Sequence, residues 1–279
     1  MDSLQLKQCC ANVYGSEAAR FLLGDSFHPG GIQLTSRLAE LLKLTAESVV
    51  LDVACGKGTS ALHLAQTVGC RVVGLDLSEA NIAEAEREAA ARGLHHGVSF
   101  RLGDAERLPF ESETFDAIVS ECAFCTFPDK QRAAAEFQRV LKPGGAVGIS
   151  DLTRTAAPLP ELDGLLGWIA CIGDAQPLEQ YGEWFRGAGL IVQGMERHDG
   201  YLADMVNSVR SKLFAADVLK GLGKLNVPGL DTEEAKGFAQ TTSKAVQAGQ
   251  LGYGVVIASK RPESVLTSAS GEQVCNYRT

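Results

Sequence analysis

The chain has 279 residues, 45% hydrophobic and 22% charged, enough apolar content for one substantial core. A formal net charge of −8, with no run of Lys or Arg, argues against nucleic acid as a partner, because a phosphate backbone is held by clustered positive charge. No stretch approaches the roughly 20 apolar residues of a membrane span, and the first ten residues lack a basic segment followed by an apolar one, so no membrane or secretory route is expected and the expected compartment is the cytoplasm.

In chain order, residues 1–45 read as a helical prelude, with amphipathic segments at 16–23 and 32–44 around the Gly/Pro-rich turn at His28, Pro29, Gly30 and Gly31. From Val49 onward, short β-branched runs alternate with helical patterns, the signature of a parallel sheet with crossover helices and hence of an α/β fold. Strands are predicted at 48–53, 71–76, 98–102, 115–120 and 146–151, and helices at 59–68, 78–92 and 130–141, with Ser78 as an N-cap. Lys142, Pro143, Gly144 and Gly145 read as a helix stop and turn. A helix at 181–187 and a strand at 189–197 follow, and a last strand lies at 251–260. The helical stretch between those two strands, 205–247, reads as a lid or cap inserted into the domain. The organisation predicted is therefore a prelude at 1–45, one domain at 46–261 with a helical insertion at about 200–250, and a polar, disordered tail at 262–279.

The segment from Val49 to Thr59 (VVLDVACGKGT) is a strand, a Gly-rich turn and a helix start. Gly56 and Gly58 let a ligand lie against the backbone, and the helix offers free N–H groups to a carboxylate or phosphate. The next strand ends on Asp76, where an acid can take both ribose hydroxyls of an adenosine-type ligand. The third leads to Gly103, Asp104 and Ala105, where a carboxylate can accept from an exocyclic amino group. Acids closing three consecutive strands at the ligand-binding edge of a doubly wound sheet are more than turn-forming glycines would explain. A nicotinamide dehydrogenase competes on fold, but Gly56-Lys-Gly-Thr-Ser-Ala61 meets its third small position only with Ala61.

These strings, with GLDLS at Gly74–Ser78, GDAERLPF from Gly103, FDAIV from Phe115 and RVLKPGG from Arg139, resemble the class I methyltransferases over about residues 45–155. The resemblance implies a Rossmann-like fold: a seven-stranded, mostly parallel sheet with helices on both faces and here a helical cap. It also implies S-adenosyl-L-methionine as cofactor. Asp52 would lie behind the methionine amine, Ala54 stands where the family has its first glycine, and Gly56 and Gly58 would bracket the methionine portion. Asp76 would hold the ribose, Leu77, Asp104 and Ala105 would frame the adenine, and Glu121 joins the cofactor set.

The eight cysteines are not a disulfide framework in a reducing compartment. Cys122 and Cys125 follow the fourth strand, where such folds present the acceptor, in a spacing that lets two thiols converge on one soft ion. Cys171 follows the fifth strand in WIACI, and Cys9 and Cys10 lie in the prelude. This pattern, with SEC at Ser120–Cys122, PDK at Pro128–Lys130 and GISD at Gly148–Asp151, resembles in part the arsenite methyltransferases, which hold trivalent arsenic between thiolates. The resemblance implies a metalloid substrate on Cys122, Cys125 and Cys171, with Cys10 as a fourth participant. Plain packing of these cysteines stands beside that reading, because Cys is among the most buried residue types. A zinc site would need two further ligands and a second C-x-x-C that the sequence lacks, and a redox pair would need a strand–helix setting. Cys55 and Cys70 read as core, and Cys275 as incidental. No histidine pair forms a ligand motif; His28 and His198 are candidates for a base, and Tyr14 and Trp168 for the pocket wall. The alternative substrate is a small organic metabolite methylated on O, N or C.

Overall fold

The computed structural model describes residues 28–155, 159–163, 170–221 and 231–263, together with Phe21, Leu22, Gly24, Ala157 and Gly167. Seven strands, β1 (Val49–Val53), β2 (Arg71–Asp76), β3 (Val98–Leu102), β4 (Phe115–Glu121), β5 (Leu141–Arg154), β6 (Ile191–Arg197) and β7 (Leu251–Ser259), form one sheet in the order β3-β2-β1-β4-β5-β7-β6. The strands from β3 across to β5 pair in parallel, whereas β7 runs antiparallel to both β5 and β6. The inner strands are apolar on both faces because helices cover both: Val50, Leu51, Val53, Ile118 and Val119 are all fully buried.

Helices α1 (Gly31–Leu41), α2 (Thr59–Thr67), α3 (Glu79–Ala91), α4 (Lys130–Val140) and α5 (Leu178–Gly187) supply that cover. Two starts are capped as their sequences suggest: Ser78 Oγ accepts from Asn81 N, and Asp129 Oδ1 accepts from Arg132 N. The predicted helix at 32–44 is shorter in the structure, where Lys43 adopts a φ of 54° just past its end. Between β6 and β7 stand α6 (Asp199–Gly221) and α7 (Thr232–Gln247), packed on each other and on β7. The first of these begins at Asp199 rather than at 205, because Asp199 Oδ1 accepts from Tyr253 N and ties the helix start to β7.

One element differs in kind from its sequence reading. Residues 142–145, expected to end a helix and turn, lie within β5. Leu141 already pairs with Phe115, and regular pairing resumes at Ala117 with Ala146, so the four residues form an irregularity inside the strand. A Lys142 Nζ bond to Asp116 at 2.8 Å and a Gly144 N bond to Lys260 O at 3.2 Å hold it there. Among the described residues, no helix is long and apolar enough to cross a membrane. All of the predicted helix at 16–23 but Phe21 and Leu22 lies outside the described residues, as do the tail from 264 onward and Cys9, Cys10, Tyr14, Trp168 and Cys275.

Candidate active site

The strand order reverses between β1 and β4, and ligands of such sheets sit beyond the strand ends at that point. The turn from β1 into α2 is built on three left-handed residues, Ala54 (φ 59°), Gly56 (φ 54°) and Gly58 (φ 78°). A side chain at Gly58 would meet the ring of Phe100 at 2.6 Å, so only glycine fits. Ala54 keeps its Cβ in a conformation that costs an L-residue about 1–2 kcal/mol and that glycine would adopt freely.

Asp52 is 2% exposed, and its Oδ2 has no hydrogen-bond partner among the described residues. Burial first, then the neighbouring Glu121 and Asp76, push its carboxyl well above the usual range; the Ala61 backbone N–H, in the first turn of α2, works the other way. A buried acceptor without a donor is costly, and a cationic donor fits it. Asp76 is tied into the same turn: Oδ2 accepts from Gly56 N at 2.8 Å, and Oδ1 from Ser78 N at 2.8 Å and Asn81 Nδ2 at 3.3 Å. Burial raises its carboxyl, opposed by those bonds. Asp104 Oδ1 accepts from Glu106 N at 3.0 Å, beside buried Ala105, and Leu77 is half-buried.

Glu121, at the end of β4, gathers side chains from distant elements. Oε2 accepts from Thr35 Oγ1 at 2.9 Å and Ser60 Oγ at 2.6 Å. Oε1 lies 3.5 Å from Ser150 Oγ and 3.6 Å from His28 Nδ1. His28 and Glu121 are both buried, so α1, α2, β5 and the turn before α1 meet on one carboxylate. Sequence reasoning had no signal for Thr35, Ser60 or Ser150, since an isolated Ser or Thr carries no motif.

Beyond Glu121, the structure brings Cys122, Cys125 and Cys171 together. Cys171 Sγ donates to Cys122 O at 3.3 Å, which brings its thiol beside the loop of Cys122 and Cys125. Cys125 and Cys171 are buried and Cys122 is partly so. Cys122 (φ 54°) and Cys171 (φ 62°) are both left-handed, a strain of about 1–3 kcal/mol each that persists only where the surroundings enforce it. The Cys171 contact first, and burial with it, push the Cys122 thiol well up; for Cys125, burial leads and Cys171 adds. Asp151 completes the group: its Oδ2 accepts from Cys125 N at 2.9 Å, and burial and the neighbouring Cys171 bring its carboxyl up to about 7. Tyr253, fully buried, hydrogen-bonds Ser150 at 3.1 Å and also the Cys122 thiol. Asp151 closes the strand predicted at 146–151, whereas Tyr253 reaches the site through the β5–β7 pairing, which no local pattern reveals. Among the described residues, no three His, Cys, Asp or Glu side chains are arranged to hold a metal ion. Cys55 and Cys70 stand apart from this group, Cys55 against Gly74 and Cys70 in the core.

A central parallel sheet in this order, extended by an antiparallel last strand and carrying acids at the ends of β1 and β2, is the class I methyltransferase fold. Residues 50–145 match the family described as "Methyltransferase domain". The chain is 36% identical over 128 residues to methyltransferase GfsG of Streptomyces halstedii, which is 46% of either chain. It is 40% identical over 114 residues to an arsenite methyltransferase of Halobacterium salinarum, covering 40% of this chain and 29% of that one. The chain spans half or less of the length of the curated relatives it matches. In fold it is similar to the [4+2]-cyclase SpnF (TM-score 0.76, 24% identity, 92% of this chain and 96% of that one). It is also similar to Haemonchus contortus phosphoethanolamine N-methyltransferase 2 (TM-score 0.76, 20% identity, 92% and 60%).

Proposed function

We propose that the chain is an S-adenosylmethionine-dependent methyltransferase whose acceptor is trivalent arsenic held by Cys122, Cys125 and Cys171. The cofactor half of this reading rests on the orphaned Asp52 Oδ2, a buried carboxyl oxygen suited to the methionine ammonium. Gly56 and Gly58 would admit the methionine portion, Asp76 the ribose hydroxyls, and Leu77, Asp104 and Ala105 the adenine. Glu121, saturated by Thr35, Ser60 and His28, would fix the floor of the site rather than reach far into it. When bound, the cofactor supplies an electrophilic methyl on a sulfonium.

The acceptor half rests on one observation: Cys171, 49 residues further along the chain, places its Sγ 3.3 Å from Cys122 O, next to the end of β4. Thiolates are the soft donors a trivalent arsenic prefers. Its lone pair is already available, so the residues need only hold it and exclude water, and no general base is required. Capture would require Cys171 Sγ to leave Cys122 O. A second reading, a small organic acceptor, draws on the buried His28–Glu121 pair, which could take a proton from an O–H or N–H nucleophile. Fold likeness does not choose between them. Serine variants do: Cys122→Ser and Cys171→Ser should abolish arsenite methylation while cofactor affinity stays at the wild-type level. Retained turnover in both would overturn the thiol reading.

A further inference from the structure

Cys171 stands in a turn, yet it is left-handed and lies against a second left-handed cysteine, Cys122, on another loop. Two cations, Lys130 buried and Arg154 partly buried, contact the Cys171 segment. Lys130, at the start of α4 and 5% exposed, donates to Phe127 O at 3.0 Å and pairs with Asp174. It thereby joins the loop of Cys122 and Cys125 to the segment of Cys171, three residues from Asp174. Its ammonium also lies 5.6 Å from the centre of the Trp184 ring. Arg154, at the end of β5, donates to Ile172 O at 3.3 Å and to Asp163 at 3.2 Å, holding the same segment from the other side.

A buried ammonium is tolerated only when paired and hydrogen-bonded, so a lysine here is costly unless the pairing serves a purpose. Leu or Met would fill the space beside Trp184 without that cost. The two ends of the pair sit on the two loops that bear the thiols. We infer that Lys130, with Arg154, is a positioning residue that keeps Cys171 within reach of Cys122 and Cys125, so that the site takes ligands needing three thiols. This rests on the thiol reading of the acceptor site proposed above.

The chemistry offers a direct discriminator. Arsenite exchanges three hydroxides: each step forms an As–S bond and breaks an As–O bond, and the thiol proton leaves with the hydroxide as water. Phenylarsine oxide keeps its As–C bond and gains only two As–S bonds, its oxygen leaving as one water with both thiol protons. No oxidant or reductant enters either step. If Lys130 positions the third thiol, its loss should weaken arsenite and spare phenylarsine oxide, for which two thiols suffice and Cys122 and Cys125 share one loop.

Affinities for both arsenicals and for S-adenosylhomocysteine would be measured on the full chain, kept reduced with a phosphine rather than a thiol. The variants are Lys130→Met, which keeps the packed stem, and Asp174→Asn, which alters the more exposed end of the pair (35% exposed) and tests the same contact should Lys130→Met not fold. Cys122→Ser is the site control and should abolish both responses. The expected result is an arsenite affinity lower by about 10- to 100-fold, the usual cost of removing a group that orients a ligand, with phenylarsine oxide and S-adenosylhomocysteine unchanged. Wild-type arsenite affinity in either folded variant, or equal loss of both arsenicals, would overturn the positioning role alone. A wild-type chain that binds no arsenite, or binds it equally with Cys122→Ser, would instead overturn the thiol reading on which it rests.

Discussion

Asp52→Asn separates what this site does for folding from what it does for binding. In the free protein Asp52 is 2% exposed, lies near Glu121 and Asp76, and leaves one oxygen without a donor. Its carboxyl is raised above its unfolded value, so the folded form holds the proton more tightly and ionising it opposes folding. The amide is neutral and nearly the same shape. The free variant should therefore melt no lower than the wild type. Binding should respond in the opposite sense. A charge-assisted hydrogen bond contributes about 1.5–3 kcal/mol, so losing the one to the methionine ammonium should weaken S-adenosylmethionine by roughly 10- to 150-fold at 1.4 kcal/mol per decade. The wild type should also bind more weakly as pH falls, beginning above the ordinary carboxylate range, because the ligand must displace the Asp52 proton; the variant should lack that dependence. Calorimetry at several pH values and a thermal melt check all three. Wild-type affinity in a folded Asp52→Asn protein, or a large loss of stability without ligand, would refute the assignment.

Other expectations follow from particular contacts. Asp52, Asp76 and Asp151 all have raised carboxyls, the last to about 7. The unfolded chain releases these protons first, so the ligand-free protein should lose stability as pH rises from about 4 to about 7, measured by urea unfolding; a rise over that interval would contradict it. Gly58→Ala places a Cβ 2.6 Å from Phe100 at a φ of 78° and should both lower the melting temperature and impair cofactor binding. Ala54→Gly relieves about 1–2 kcal/mol of left-handed strain against about 0.4–1 kcal/mol of added unfolded-state freedom. Its stability should be equal to the wild type or higher, and a loss beyond 1 kcal/mol would count against the strain assigned from its φ of 59°.

Much of the architecture is legible because parallel strands and crossover helices leave local marks: β2 and β3 have the bounds that their β-branched runs suggest, and Ser78 caps its helix. Asp52, Asp76 and Asp104 could be located because each follows directly from where a strand ends. What escapes is long-range. Lys142-Pro143-Gly144-Gly145 is a turn by every local rule, yet Leu141 has already joined Phe115. The antiparallel direction of β7 is written in pairing, not in its own residues, and with it came Tyr253 and its bond to Cys122. Cys171 meets Cys122 from an irregular segment that Lys130, through Asp174, and Arg154 contact, and no cysteine spacing encodes those contacts.

The most direct test of the proposed activity is methyl transfer itself: the purified chain, S-adenosylmethionine carrying a labelled methyl, arsenite and a reductant, with arsenic species separated and the label followed. The expected result is label on arsenic, dependent on the protein and on arsenite and lost with Cys171→Ser. Transfer that ignores arsenite, or label appearing only on an organic acceptor, would contradict the arsenic reading.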